Sequence, residues 1–329
     1  MTKCDWIDVD RATLRELTAG SDARGFLMAG GYPGLLVLLG AGFCVASSRG
    51  FIAWSVVAYF CYATVFAFLI NGFHELVHGT VFRTRWLNQA FLFIFSFLFW
   101  GNPHHFRESH TRHHLYTLHP PDDLEVRLPI VFRPRDIVLY GLVDLRLVWW
   151  TLRTTVKTAF GILDDEWDLA CFPEEAREKR RKLFRFAHVL LIGHAAITAG
   201  SLLLGLWQIP LLVTFAFPFA RWLHVLCNQT QHAGLAESQP DFRLAARSIR
   251  LNPIVVYLYW HMNYHVEHHM YASVPCYNLP RLNRAIRHDL PEPSPGIVAA
   301  WREIFAILER QRRKPGYAFL PEVPRPQAK

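Results

Sequence analysis

The chain has 329 residues, 52% of them hydrophobic and 14% aromatic, with a net charge of +8. Its long apolar runs exclude an array of soluble domains and point to one integral membrane unit with cytosolic parts. The six cysteines include no Cys-x-x-Cys pair, which excludes iron–sulfur and zinc-ribbon sites, and the basic balance reads as loops beside an anionic leaflet, with no nucleic acid as partner.

In chain order, residues 1–25 carry no apolar core of a signal peptide. Within them, residues 5–18 predict a short amphipathic helix at the membrane surface, capped by Asp8 or Asp10. Apolar runs at about 26–47 and 51–73 each approach the roughly 20 residues that cross a bilayer, and the tight turn between them makes a transmembrane hairpin. Residues 89–100 are apolar but too short to span, so an interfacial or re-entrant helix is expected. Residues 136–163 mix Leu, Trp and Val with Arg146, Arg153 and Lys157, the pattern of a helix lying in the interface. A charged soluble helix is expected at 173–185, followed by a second hairpin at 187–207 and 211–227. Residues 26–290 thus form one membrane domain, and 291–329 a cytosolic C-terminal helix and tail, amphipathic through Ile297, Trp301, Ile304, Phe305 and Leu308. The expected fold is all-α and integral to the membrane: four transmembrane helices in two hairpins, interfacial helices and a cytosolic histidine-rich helical cap. Lys and Arg are dense after each hairpin and sparse in the opposite turns, so the positive-inside rule places both termini and the cap in the cytosol.

The histidines are the most informative feature. His110-Thr-Arg-His113-His114 puts three imidazoles at i, i+3 and i+4, on one face of a helix. The spacing returns at His265-Val-Glu-His268-His269. Two simpler pairs, His74-Glu-Leu-Val-His78 and Asn228-Gln-Thr-Gln-His232, sit where the two hairpins end. A single His-x-x-x-His at a membrane edge is more often an interfacial polar contact than a ligand pair; four groups delivered to one side make the metal reading the stronger one. One ion rarely takes more than six protein ligands, so nine inward imidazoles imply two metal ions. Without thiolates, two octahedral-preferring ions with an open position suit iron and dioxygen chemistry better than a closed structural zinc.

Other residues carry weaker expectations. Asn228 reaches a metal through water or merely caps its helix. Glu75, Glu108, Asp122, Asp123 and Glu267 are candidates to orient imidazole N–H groups, with solvated surface as the alternative for each. His104 and His105 read as polar surface, and His188, His194 and His224 as helix–helix hydrogen bonds.

In order, spacing and placement, His74-x-x-x-His78, His110-x-x-His113-His114, Asn228-x-x-x-His232 and His265-x-x-His268-His269 resemble the histidine boxes of the membrane fatty acid desaturase/hydroxylase superfamily. The resemblance spans about Gly30 to Leu290 and looks closest to bacterial desaturase-like and hydrocarbon-oxygenase-like members. It implies a di-iron centre held by His74, His78, His110, His113, His114, His232, His265, His268 and His269, with O2 as co-substrate and a lipid or other long apolar molecule as substrate. Electrons would come from a separate donor: a ferredoxin, a cytochrome b5-like protein or a reductase. The implied setting is a multi-pass protein of a bacterial inner membrane. Its first box lacks the further histidine of some acyl-lipid desaturases and is nearer to acyl-CoA desaturases and carotenoid ketolases. Fatty acid desaturation is the expected activity, with hydroxylation or ketolation of a fatty acid, hydrocarbon or carotenoid as alternatives. A metal transporter and a bis-histidine haem cytochrome are the readings from other classes; the former would place its ligands near the bilayer midplane.

Overall fold

The structure is a computed structural model describing residues 9–128, 130, 132–314 and 316–324. Among the described residues the fold is helical, with three isolated bridges and no strand. Helix α1 (Arg11–Leu17) begins at Asp10, whose carboxylate accepts from the Ala12 and Thr13 N–H groups and so satisfies two donors that a helix start leaves free. Asp8 and the rest of the predicted helix before residue 9 lie outside the described residues.

Helices α2 (Asp22–Ser48) and α3 (Ile52–Val77) are 27 and 26 residues long and apolar enough to cross a membrane. Gly50 takes φ +74 in the turn between them, a conformation that glycine adopts without steric cost. Helix α4 (Arg85–Phe99) runs where the short apolar segment was expected and stops at Trp100, which is left-handed at φ 61. The chain then turns into α5 (Pro103–Tyr116). Pro103 occupies the first turn, where its missing N–H costs nothing, and Asn102 caps the helix by accepting from the His104 and His105 N–H groups. Helices α6 (Pro134–Leu142) and α7 (Leu145–Ala159) form the expected amphipathic stretch, and α8 (Glu166–Cys171) follows.

The second half departs from expectation twice. The charged segment is not a separate helix: from Arg177 onward it is the beginning of α9 (Arg177–Leu203), a third helix long and apolar enough to span. Lys, Arg and Glu are good helix formers, and no Gly or Pro interrupts the run before Gly193. Residues 211–227, expected as the fourth span, are not one helix. Short helices α10 (Gln208–Val213) and α11 (Trp222–Asn228) flank an irregular stretch. Pro218 has no N–H to give and its ring would clash with the preceding turn. The backbone groups so released find partners in the protein: Asp144 N–H donates to Pro218 O at 2.9 Å, Ala220 N–H to Leu142 O at 2.8 Å, and Trp100 Nε1 to Thr214 O at 2.9 Å. Irregular backbone at membrane depth is tolerated only when it is covered in this way.

Helices α12 (Phe242–Ala245), α13 (Pro253–Leu258), α14 (His265–Met270) and α15 (Leu279–Ile286) follow, and α16 (Ile297–Arg313) closes the chain. Trp301 and Ile304 of α16 pack with Ala233 in a small core of their own, flanked by Ile297, Phe305 and Leu308. The predicted apolar face of this helix is therefore turned inward, against the segment that follows α11.

Candidate metal centre

Three helices and one turn carry the nine histidines inward. Helix α3 presents His74, with His78 at its C-cap; α5 presents His110, His113 and His114; α14 presents His265, His268 and His269. His232 comes from the turn after α11. His74, His78, His110, His114 and His268 form a first group, in which one ligand atom from each lies within 4.8 Å of all the others. His113, His232 and His269 form a second by the same measure. His265 falls outside both, but its Nε2 lies 2.9 Å from His232 Nε2 and 3.1 Å from His269 Nε2, at the edge of the second group. Neighbouring residues separate: His114 and His268 go to the first group, His113 and His269 to the second, because consecutive side chains leave a helix roughly 100° apart.

The outer nitrogens show how the rings are aimed. His110 Nδ1 lies 2.7 Å from Glu125 Oε1, His113 Nδ1 2.8 Å from Asp123 Oδ2, and His74 Nδ1 3.1 Å from Glu75 Oε1. His232 Nδ1 meets the Ala245 carbonyl at 2.7 Å, and His269 Nδ1 the Thr117 hydroxyl at 3.1 Å. Carboxylates and carbonyls only accept, so Nδ1 donates to them and Nε2 keeps its lone pair for the interior. Inside, Nε2–Nε2 separations are 3.0 Å for His110–His114 and 3.1 Å for His114–His268. Two ligands at right angles with bonds of about 2.1 Å would stand about 3.0 Å apart, whereas a tetrahedral pair would open to about 3.4 Å. The residues present therefore fit ions with more than four ligands.

Protonation agrees with that fit. Burial pushes His78 down to about 4 and His232 to about 3, and it holds His110, His114, His265, His268 and His269 well below the usual imidazole value, the crowding of rings adding to it. Neutral imidazole is the ligating form. His113 is the exception: burial works to lower its pKa, but the hydrogen bond to Asp123 and the nearby Glu125 charge outweigh it and raise it.

Of the carboxylates singled out in the sequence, Glu75 and Asp123 touch imidazoles. Glu108 pairs with Lys179 at 2.6 Å, Asp122 is exposed, and Glu267 accepts from Ser248 and Asn283. Glu125, Thr117 and the Ala245 carbonyl were not foreseen. Glu125 lies two residues past Asp123 in an irregular stretch, where periodicity carries no information; its only signal was that proximity. Asn228 ends α11, one turn before His232, and no hydrogen bond among the described residues joins it to an imidazole. His105, half-exposed, lies 2.7 Å from Asp168 through its Nε2. His194 does bridge segments, reaching Thr214 Oγ1 at 3.2 Å and Phe97 O at 2.9 Å, whereas neither ring nitrogen of His224 has a partner among the described residues.

An apolar cavity of about 610 Å³ lies between α2, α3 and α10, lined by residues such as Ile52, Tyr59, Ala63 and Phe219. Its nearest point on α3, Ala63, is roughly three helical turns from His74, so the cavity is separate from the histidines. No curated protein matches the chain. A profile for the family described as fatty acid desaturase matches residues 51–301, a stretch that contains all nine histidines and both groups they form. The chain accordingly belongs to the fatty acid desaturase family, among the membrane desaturase and hydroxylase oxidoreductases that use iron.

Proposed function

We propose that this protein is an O2-dependent di-iron oxidoreductase that attacks an unactivated C–H bond of a lipid acyl chain and leaves a double bond, a fatty acid desaturase. The observation that carries the reading is the convergence of buried and half-buried imidazoles into two adjoining groups, with His265 at the edge of the second. His74, His78, His110, His114 and His268 would hold one ion; His113, His232, His265 and His269 would hold the other. Bound there, iron supplies dioxygen activation and the oxidising power to take hydrogen from a methylene.

The chain supplies the setting. Glu75, Asp123 and Glu125 offset part of the charge that two cations bring and keep the rings in one tautomer. Near-complete burial of His268 and Glu75, at 0% and 1% exposed, keeps bulk water away from the reacting groups. Desaturation reduces O2 to two waters with one hydrogen pair from the substrate and two electrons and two protons from outside. In this reading the electrons come from a separate protein, a ferredoxin, a cytochrome b5-like protein or a reductase. Three helices long and apolar enough to cross a membrane support the reading of a multi-pass membrane protein. The dense Lys and Arg beside them support an orientation with both termini and the histidines in the cytosol, and the likeness of the histidine boxes supports a bacterial inner membrane as the setting.

Lipid profiling of cells with and without the gene tests the reaction. New unsaturation supports desaturation, a new hydroxyl moves the activity to the hydroxylases, and unchanged lipids from an iron-replete protein overturn both. On purified protein, about two irons and no haem absorbance are expected; a Soret band would instead identify a cytochrome.

A further inference from the structure

His232 is the one histidine of the nine that neither lies on a helix nor caps one, so its position depends on whatever holds its turn. One residue does most of that. The Arg247 side chain is buried, at 6% exposed, and its Nη1 donates to Thr230 O at 2.8 Å and Ala233 O at 3.0 Å. Its backbone N–H donates to Gln231 O at 2.9 Å. Arg247 thus takes three carbonyls from the four residues 230–233 that contain His232. Two residues earlier, the Ala245 carbonyl receives His232 Nδ1 at 2.7 Å, so a single short segment sets both the path of the turn and the tilt of the ring.

The remaining side of the guanidinium faces the C-terminal helix: Arg247 Nε lies 3.4 Å from Glu303 Oε2 on α16. The same helix grips the turn at both ends. Trp301 Nε1 donates to Leu226 O at 2.9 Å, and Gln311 Nε2 to Gly234 O at 3.4 Å. A Cβ on Gly234 would stand 2.9 Å from Ile307 Cγ2, so α16 lies directly against the backbone there. Glu303 and most of α16 fall beyond the family match, which ends at residue 301.

We propose that Arg247, braced by Glu303, is a positioning residue that places His232 for the second metal ion, and that α16 thereby belongs to the metal centre although it contributes no ligand. The inference rests on the reading of His232 as a ligand. A planar guanidinium can serve two carbonyls and a carboxylate together, which an ammonium cannot match, so Lys is expected to rescue only in part.

The test is metal stoichiometry and affinity in the full-length protein in detergent, using ferrous iron added anaerobically to metal-free protein. Wild type is expected to take up two ions. His232→Ala and Arg247→Met should each keep one, and the double variant should lose no more than either alone. Glu303→Gln and Arg247→Lys should keep both sites but weaken the second by about 10- to 100-fold. If Arg247→Met does not fold, the Glu303→Gln and Arg247→Lys affinities decide. Unchanged second-site binding in the Arg247 and Glu303 variants, with one ion lost in His232→Ala, overturns the positioning role alone. Two ions retained in His232→Ala overturn the ligand reading beneath it.

Discussion

The two histidine groups use the same ligand chemistry but are supported differently. The first draws its five imidazoles from α3, α5 and α14, and two of its outer nitrogens face carboxylates, Glu75 and Glu125. The second draws from α5, α14 and an irregular turn, and its outer nitrogens face one carboxylate, one carbonyl and one hydroxyl. The contrast teaches that a cation in the first group is framed by stiffer backbone, since every one of its ligands lies on a helix or caps one. A cation in the second depends on a single ion pair and on packing from outside the helical frame. The first site should therefore fill first and empty last.

Removing a ligand from either group breaks the comparison most directly. His268→Ala and His113→Ala should each reduce activity at least about a hundredfold, the range already reached by losing an outer partner. Metal analysis should show different ions gone, and a fully active, metal-replete His113→Ala or His268→Ala would falsify that residue's assignment. Exchanging the supporting carboxylates comes next. Asp123→Asn should weaken the second site by about 10- to 100-fold, while Glu125→Gln weakens the first by less because Glu75 remains; calorimetric titration of metal-free protein ranks the two. Glu108→Gln, which alters only the exposed pair with Lys179, should leave both affinities unchanged.

Acid sharpens the same contrast. An imidazolium cannot ligate, and the raised pKa of His113 gives it a larger protonated share at any pH than its neighbours. His78, down to about 4, resists protonation far longer. As pH falls from about 7 to about 5 the second ion should be released while the first stays, which stepwise dialysis and metal analysis would follow. Equal loss from both groups would contradict the unequal electrostatics. The smallest effect is expected from packing behind the first group. A Cβ on Gly72 would meet Phe95 at 2.3 Å and Trp260 at 2.6 Å, so Gly72→Ala should cost about 1–3 kcal/mol. A lower melting temperature with the second site's affinity retained would place that strain on α3.

What was legible in the sequence followed from period and length. Helical spacing put His110 and His114 on one face, and hydropathy found the long apolar helices. The charged and apolar segments expected as two helices are one from Arg177 onward, since good helix formers with no Gly or Pro between them leave nothing to divide the run. The broken stretch before α11 was readable in principle, since Pro218 stands in the middle of it. Nothing in the residues announced that the bridge to Val143 would absorb the break. Glu125, the Ala245 carbonyl and the brace on Arg247 come from irregular segments, whose partners are set by tertiary contact and leave no periodic trace.

The parting of His113 from His114, and of His268 from His269, has a mechanical consequence. Each of these adjacent pairs is cut from one helix, so the separation of the two histidine groups, and of any cations they hold, would follow from the angular step of an α-helix. An ion bound in one group could not then shift toward an incoming molecule without turning the helix that also supplies the other group. Inserting one residue ahead of either pair would rotate both rings by roughly 100°, carrying the first histidine to the place of the second and turning the second away from both groups. The tolerance of this centre is thus measured in whole residues of register: it can lose a supporting contact and weaken, but it cannot slide.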